Sequence, residues 1–331
     1  MTWIPALIAL TAFCTSVDTP PDSSGTVEKA LPSTDALLEH VVVVGASASE
    51  GFGLRGELGA EAPLSLFIDA SWAKARVATK NVASSRFFLE PAKAGAKQRD
   101  AAKAEGVTLL IAVDFLFWYG YGTHGTEAQR LVTLEKGLAV LDEIGGPMLV
   151  GDFPDMRPAL EGEGMFGGPV ISARQIPEPQ TIVRLNARLD EWSKERPNVM
   201  RVPLADFVTR LQTNQELELR GLHWTAEECR RLLQKDLLHP TAEGTAALAL
   251  LCLDSLERSH KSIGAELMNW NVESVLEGVR AATAEEREAA EAKQAARDKR
   301  LREFEERKKA REREREEEKE GEDSQSERDA A

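Results

Sequence analysis

The chain has 331 residues, a formal net charge of −14 at pH 7 and an apolar fraction of 42%. That apolar fraction is ordinary for a globular core, and the length suits one large domain or two small ones. Because binding to a phosphate backbone needs clustered Lys and Arg, the acidic composition argues against a nucleic-acid partner.

The N-terminus carries an apolar run over residues 3–13, followed by small residues at 14–16. A run of this length suits the hydrophobic part of a secretory signal and is too short to span a bilayer. We therefore predict a signal peptide over residues 1–16, an exported (periplasmic or extracellular) protein and no transmembrane span. No Lys or Arg precedes the run, so a cytoplasmic protein is the alternative. Residues 17–36 are rich in Pro, Ser and Thr and are predicted to be a flexible linker.

Strand-like and helix-like segments alternate from residue 37 onward. Short apolar runs predict strands buried on both faces, and longer segments with helical spacing predict helices. The predicted strands are residues 41–44, 76–82, 108–113, 147–151 and 199–202. The predicted helices are residues 50–60, 91–105, 127–143, 181–195 and 241–258. This alternation predicts an α/β protein with a three-layer α/β/α, flavodoxin-like arrangement around a parallel sheet of about five strands.

The predicted domain covers residues 37–262, and residues 263–331 are predicted to be a helical extension. From residue 281 the composition shifts to Glu, Arg, Lys and Ala, and oppositely charged pairs four residues apart support a solvent-exposed helix. Apolar residues such as Leu301 and Phe304 are too sparse for a heptad seam. We expect the helix to give way to disorder by Gly321; a protein partner for the charged helix is the alternative.

The sequence predicts no cofactor and no metal site. Cys229 and Cys252 lie in helix-like segments and are predicted to be buried apolar side chains rather than a disulfide. The five histidines are scattered, and no Cys/His cluster has the spacing of metal ligands. The glycines at 45, 51 and 53 do not form the G-x-G-x-x-G pattern of a dinucleotide site.

A serine follows the first predicted strand in a turn of small residues. The turn reads Gly45-Ala46-Ser47-Ala48-Ser49-Glu50-Gly51-Phe52-Gly53, and Asp236-Leu237-Leu238-His239-Pro240 lies far downstream. A hydroxyl on a tight turn, with an acid and an imidazole from the other end of the domain, is the set that acyl transfer through serine requires. Ligands of parallel sheets bind beyond the carboxyl ends of the strands, so we expect Ser47, residues 81–85 and Asp114 at one site.

These two segments resemble the first and last blocks of the SGNH, or GDSL-type, hydrolases. The family's first block is Gly-Asp-Ser followed by Gly-x-Gly, and its last block is Asp-x-x-His. The resemblance covers about residues 37–262 and implies a serine esterase. It implies that Ser47 is the nucleophile and a backbone oxyanion donor, that His239 is the general base and that Asp236 orients the imidazole.

Three blocks depart from the family's pattern. Ala46 stands where the first block has an acid, and Ala83 corresponds best to the oxyanion glycine of the second block. Asp114 stands where the third block has an asparagine that donates to the oxyanion. An ionised Asp114 would repel the developing negative charge, whereas a buried, neutral Asp114 would donate a hydrogen bond. Asn81 or Ser84 is an alternative donor.

Aromatic residues follow the third predicted strand at positions 115, 117, 118, 119 and 121. Trp118 and Tyr119 are the predicted substrate-binding residues, because aromatic side chains often line ligand pockets; core packing is the alternative. Residues 153–179 contain repeated Gly and Pro and predict either a lid over the site or a passive surface insertion.

The sequence thus predicts hydrolysis of a small-molecule or glycan ester through an acyl-enzyme at Ser47. Two alternatives use the same residues. One is an SGNH-like domain that binds a glycan or peptide without turnover, and the other is an O-acyltransferase with the same triad.

Overall fold

The computed structural model describes residues 33–164, 167–260 and 262–329, with side chains described as far as residue 312. The predicted signal peptide and most of the predicted linker lie outside the described residues. None of the helices in the described ranges is long and apolar enough to cross a membrane.

A five-stranded parallel sheet forms the centre of the fold. Its strands are β1 (Val41–Val43), β2 (Lys80–Asn81), β3 (Leu109–Ala112), β4 (Met148–Gly151) and β5 (Val199–Val202), in the order β2-β1-β3-β4-β5. Every residue of β1, β3 and β4 is buried. Continuous apolar strands of this kind are typical of a parallel sheet that is covered on both faces.

Helices and a small hairpin complete the described chain. The hairpin pairs β6 (Leu217–Leu219) with β7 (Leu222–Trp224). The α-helices are α1 (Thr34–Leu37), α2 (Ser47–Glu50), α3 (Leu54–Leu58), α4 (Leu64–Ala70), α5 (Pro91–Ala104), α6 (Phe117–Gly120), α7 (Glu127–Ile144), α8 (Pro179–Lys194), α9 (Leu204–Gln212), α10 (Ala226–Cys229), α11 (Ala242–Ser259), α12 (Val272–Ala282) and α13 (Ala284–Asp329). Short 3₁₀ helices lie at Ser85–Leu89, Arg157–Glu161, Ala173–Gln175, Arg230–Leu232 and Ala265–Leu267.

The helices form two layers, one on each face of the sheet. Helix α7 packs against α5 and α8, and α11 packs against α4 and α12. Nearly all of α11 from residue 242 to 256 is buried, which explains its near-continuous Ala and Leu sequence. The predicted three-layer α/β/α fold with a five-stranded parallel sheet is confirmed.

Two predicted elements near the first strand are shorter in the structure. Helix 50–60 is divided into α2 and α3, because Gly51 has a φ of 84° and ends α2 in the left-handed conformation that glycine adopts without strain. Strand 76–82 is reduced to β2. The backbone N–H of Thr79 instead donates to the Asp69 carboxylate at 3.0 Å.

The packed core continues past residue 262, the predicted end of the domain. Ile263 and the α12 residues Val275 and Val279 are buried in the same core as the sheet. Helix α12 is amphipathic and lays its apolar face against α4 and α11. The predicted boundary is therefore too early, and the packed body extends to the end of α12.

The charged C-terminal segment is one continuous helix, α13. It passes through Gly321, where the sequence predicts disorder. Leu301 and Phe304 are exposed, as the sparse apolar pattern predicts. Near its start, the Glu286 carboxylate accepts a hydrogen bond from the Arg55 guanidinium at 2.9 Å.

Arg130 on α7 is a buried cation that joins two loops. Its guanidinium donates to the carbonyl oxygens of Gly120 at 3.0 Å, Gly122 at 3.1 Å and Arg174 at 3.0 Å. It also pairs with Glu127 at 2.8 Å, and only 3% of its side chain is exposed. Buried carbonyl groups need such partners, so Arg130 fixes the loop after α6 against the 3₁₀ helix at Ala173–Gln175.

We expect Arg130→Met to lower the free energy of unfolding by about 3 kcal/mol, because it removes the donor from several buried or half-buried carbonyls and from one oxygen of the Glu127 carboxylate. Urea unfolding followed by circular dichroism measures this change. Arg188→Met is the matched control, since Arg188 pairs with Glu135 at the surface and such pairs contribute less than about 1 kcal/mol. Equal losses in the two variants would contradict the role given to Arg130.

Candidate functional site

Ser47, His239 and Asp236 form a continuous chain of hydrogen bonds. Nε2 of His239 lies 2.9 Å from Oγ of Ser47, and Nδ1 lies 2.7 Å from Oδ2 of Asp236. Asp236 and His239 are both buried, with 4% and 5% of their surface exposed. A carboxylate next to Nδ1 selects the tautomer that carries its proton there, which leaves Nε2 free to accept the Ser47 proton.

The Asp236 side chain also organises its own loop. Its Oδ1 accepts hydrogen bonds from the backbone N–H groups of Leu238 and His239, both at 2.9 Å. Leu237, which lies between Asp236 and Leu238, has a φ of 55°, so the turn is tight. Burial acts to raise the pKa of Asp236, but the His239 ring and the two N–H donors outweigh burial and hold the pKa below its usual value. The acid therefore stays ionised at neutral pH.

Contacts from two sides fix the position of the histidine ring. The ring of Phe52 lies against it with centroids 4.5 Å apart. The Gln234 side-chain amide donates to the carbonyls of Phe52 at 2.7 Å and Pro240 at 2.8 Å. The loop that carries His239 is thus tied to the segment that follows Ser47, although 192 positions separate the two in sequence.

The Asp114 carboxylate lies beneath the Ser47 turn and accepts four hydrogen bonds from it. The backbone N–H groups of Ala46, Ala48 and Ser49 donate at 3.0, 3.0 and 3.1 Å, and the Ser49 hydroxyl donates at 2.5 Å. Burial raises the pKa of Asp114, and these hydrogen bonds oppose the rise. The sequence-based role of Asp114 as an oxyanion donor is therefore corrected, because the carboxylate accepts hydrogen bonds from the turn itself.

Gly45 makes this arrangement possible. A Cβ atom at Gly45 would lie 2.0 Å from Oδ1 of Asp114 and 2.6 Å from Oγ of Ser49. The Gln98 side chain holds both backbone groups of Gly45, accepting from its N–H and donating to its carbonyl at 2.8 Å each. Only glycine leaves room for the carboxylate at this close approach.

The predicted oxyanion donors are only partly available near Ser47. The Ser47 N–H begins α2 and donates to no acceptor among the described residues. The Ala83 N–H is not free, since it donates to Oδ1 of Asn81 at 3.2 Å. The alternative donor Ser84 instead caps the next 3₁₀ helix by accepting from the Arg86 N–H. Of the two predicted backbone donors, the Ser47 N–H alone is left without an acceptor among the described residues.

An open cleft of about 190 Å³ lies on one side of Ser47 and His239. Trp118 lines this cleft, as predicted, whereas Tyr119 is fully buried. The Tyr119 ring packs against Phe87 and Phe115 in the core, so its predicted substrate-binding role is wrong. The remaining lining residues of the cleft are Phe52, Ser85, Phe88, Val170, Gln175 and Leu238.

Ser85 and Gln175 are two polar residues that line this cleft; Ser85 belongs to the segment 81–85 that the sequence places at the site, whereas sequence reasoning missed Gln175. Ser85 follows Ser84 at the start of the 3₁₀ helix, and its hydroxyl has no partner among the described residues. The Oε1 atom of Gln175 accepts from Ser172, so its amide N–H₂ is the group left for a ligand. Val170 and Gln175 also show that the segment 153–179 forms a wall of the site. The position of Ser85 after the second predicted strand is the sequence signal for it, whereas Gln175 belongs to no recognisable motif.

A second, narrow cavity of about 60 Å³ lies on the other side of Ser47 and His239. Its walls come from segments that follow β3, β4 and β5 and from α11. The apolar lining includes Phe117, Met156, Leu204, Phe207, Val208 and Leu248. The aromatic residues after β3 are thus divided, since Phe117 faces this cavity, Trp118 faces the open cleft and the others pack in the core.

The described ranges contain neither a cluster of metal-ligand side chains nor a disulfide. No group of three or more His, Cys, Asp or Glu side chains in residues 33–164, 167–260 and 262–329 has the arrangement of a metal site. Cys229 and Cys252 are buried free thiols, as predicted. Neither models of known protein families nor curated proteins match the chain.

We expect Asp114→Asn to lower ester turnover about 10²-fold, because the amide N–H₂ would replace one acceptor oxygen and displace the Ser47 turn. The measurement is kcat with p-nitrophenyl acetate, together with the thermal midpoint. Asp100→Asn, at an exposed position, is the control. A higher kcat in Asp114→Asn would instead restore the oxyanion-donor role that the sequence suggests.

Proposed function

We propose that the protein hydrolyses carboxylic esters through an acyl-enzyme at Ser47. The observation that carries this proposal is the chain of hydrogen bonds from Asp236 through His239 to Ser47. Asp236 and His239 are held by further contacts, and the turn that carries Ser47 is held by Asp114, before any substrate arrives. Such preorganisation is what a serine nucleophile needs, because the free hydroxyl is a weak nucleophile without an adjacent base.

In the acylation step, Ser47 Oγ attacks the ester carbonyl carbon while its proton passes to Nε2 of His239. The ionised Asp236 stabilises the imidazolium that forms. The tetrahedral intermediate then collapses and expels the alcohol, which takes the proton from His239. The acyl group remains bound to Ser47 as an ester.

Deacylation repeats the sequence with water. His239 takes a proton from the attacking water, the second tetrahedral intermediate collapses, and the acid leaves as Ser47 regains its proton. The negative oxygen in both intermediates lies next to the Ser47 N–H at the start of α2, where the helix dipole also favours negative charge. Ser85 and Gln175, which line the same cleft, supply the side-chain donors closest to this position in our proposal.

The narrow apolar cavity supports a short acyl group. One water molecule needs about 10–15 Å³ of such volume, so a cavity of about 60 Å³ accepts about four water-sized groups. An acyl chain of two to four carbons fits this size, and the leaving alcohol then lies in the open cleft lined by Trp118.

We expect Ser47→Ala and His239→Ala to lower kcat/KM for p-nitrophenyl acetate by about 10⁴-fold or more, and Asp236→Asn by about 10⁴-fold. Circular dichroism should show that each variant is folded. The matched controls are Ser193→Ala, half-buried near the end of α8, and His223→Ala, exposed on β7, both outside the site.

A fluorophosphonate probe separates the proposal from its alternatives. It should label the wild-type protein at Ser47 and leave Ser47→Ala unlabelled, because labelling needs an activated hydroxyl. Glycan or peptide binding by a protein that shows neither labelling nor turnover would favour the binding-domain alternative. More acyl transfer to an added sugar than to water would favour the O-acyltransferase.

We expect kcat/KM to fall about 10-fold or more between p-nitrophenyl butanoate and octanoate, because the longer chain exceeds the cavity. Val208→Ala, which removes two methyl groups from the cavity wall, should shift the preference toward hexanoate. Val140→Ala is the control, a buried valine on α7 outside the cavity. An unchanged chain-length profile in Val208→Ala would place the acyl group elsewhere.

A further inference from the structure

A third cleft, of about 550 Å³, opens beside the catalytic cleft and is lined by cations. Arg86, Lys93 and Lys97 line it, and Glu90 is its one carboxylate. Glu90 lies 3.1 Å from Lys93. Arg86 and Lys97 pair with no carboxylate in the described part of the chain. An unneutralised positive cleft is unexpected in a chain with a net charge of −14.

The position of the lysines on α5 strengthens the positive potential. Helix α5 begins at Pro91, so Lys93 lies in its first turn and Lys97 in its second. The first turn contains no acidic residue, and Glu90 at the N-cap is the one carboxylate beside the partial positive charge of this helix N-terminus. Cations at this end of a helix repel the dipole, and an anion bound in the cleft relieves that repulsion.

The basic cleft and the catalytic cleft share one wall. That wall is the 3₁₀ helix Ser85–Leu89, in which Ser85 and Phe88 face the catalytic cleft while Arg86 and Leu89 face the basic cleft. Gln98, which lines the basic cleft, holds the backbone of Gly45 two residues before the nucleophile. A single ligand that crosses this short helix reaches both clefts.

We propose that the basic cleft binds an anionic sugar unit on the alcohol side of the ester, so that the substrate is an acidic glycan ester. This inference rests on the proposed esterase function. Arg and Lys are the residues that bind carboxylate and phosphate groups, and the two anions share this chemistry. A volume of about 550 Å³ is that of a small-molecule site and is far larger than a simple inorganic anion needs.

The shape of the cleft and the overall charge favour a soluble ligand over a membrane. The cations surround a recess of about 550 Å³ that a flat lipid surface cannot fill, although the Lys93 side chain is 81% exposed. The remaining surface is acidic and repels an extended anionic bilayer, while its effect on a ligand inside the cleft is screened beyond about 8 Å at physiological salt. Leu89, which is 63% exposed, gives the same cleft an apolar edge for the sugar ring.

The kinetic test compares O-acetylated tetragalacturonide, O-acetylated xylotetraose and p-nitrophenyl acetate as substrates. In the double variant Lys93→Ala/Lys97→Ala, we expect KM for the galacturonide to rise at least 10-fold with kcat unchanged. KM for the two neutral substrates should stay within twofold. Lys103→Ala is the control, because Lys103 lies on the last turn of the same helix and outside the cleft. Equal changes for acidic and neutral substrates would overturn the proposal.

A binding test separates this proposal from the proposed function. Titration calorimetry uses the full-length Ser47→Ala protein and unacetylated tetragalacturonide at low and high salt. We expect binding that weakens with salt and that disappears when Lys93→Ala and Lys97→Ala are added. Such binding supports the cleft even if the wild-type protein turns over no ester. If the wild-type protein hydrolyses esters but its Ser47→Ala variant binds no galacturonide, the proposed role of the basic cleft is wrong while the esterase proposal stands.

Two further experiments identify which kind of anion the basic cleft binds. If inorganic phosphate binds as tightly as the galacturonide, the cleft is a simple anion site, and the proposal that it binds a sugar unit is wrong. Sedimentation with vesicles of phosphatidylglycerol and phosphatidylcholine tests a membrane. Vesicle binding that depends on Lys93 and Lys97, without galacturonide binding, would overturn the glycan in favour of a lipid surface.

Discussion

The buried Asp114 carboxylate is the constraint on which the site depends. Three backbone N–H groups and one hydroxyl of the Ser47 turn converge on it, and a side chain at Gly45 would collide with it. An unsatisfied buried carboxylate is costly, so the turn must adopt the shape that supplies these donors. That shape directs Ser47 away from Asp114 and toward His239. The first strand, the third strand and Ser47 are thereby fixed relative to one another.

The Ser47 turn also explains why the clefts lie where they do. The turn follows β1 at the point where the strand order reverses, because β2 lies on one side of β1 and β3 on the other. Segments after β3, β4 and β5 enclose the narrow apolar cavity on one side. Segments after β2 form the wall between the open cleft and the basic cleft. Each part of a substrate would therefore contact segments that follow different strands.

Some of these features follow from local sequence and others do not. The valine run, the helical spacing and the Ser…Asp-x-x-His order are local patterns, so the sheet and the convergence of Ser47, Asp236 and His239 could be predicted. The direction of the Asp114 carboxylate depends on backbone N–H groups almost seventy residues away. Trp118 and Tyr119 are neighbours, yet a helical turn rotates one toward the cleft and the other into the core. The residue types alone do not show which of two neighbouring aromatic side chains faces the cleft and which faces the core.

Helix α13 is by far the longest helix among the described residues. Its 46 residues span about 70 Å at the usual rise per residue, which exceeds the breadth expected of the α/β body. Nearly every side chain from residue 291 to 312 is exposed, so this part of the helix derives little from packing and depends on local interactions such as the Lys308–Glu312 pair. Added salt, which screens charge pairs, would lower the helicity of this segment while leaving the enclosed hydrogen bonds of Ser47, His239 and Asp236 intact.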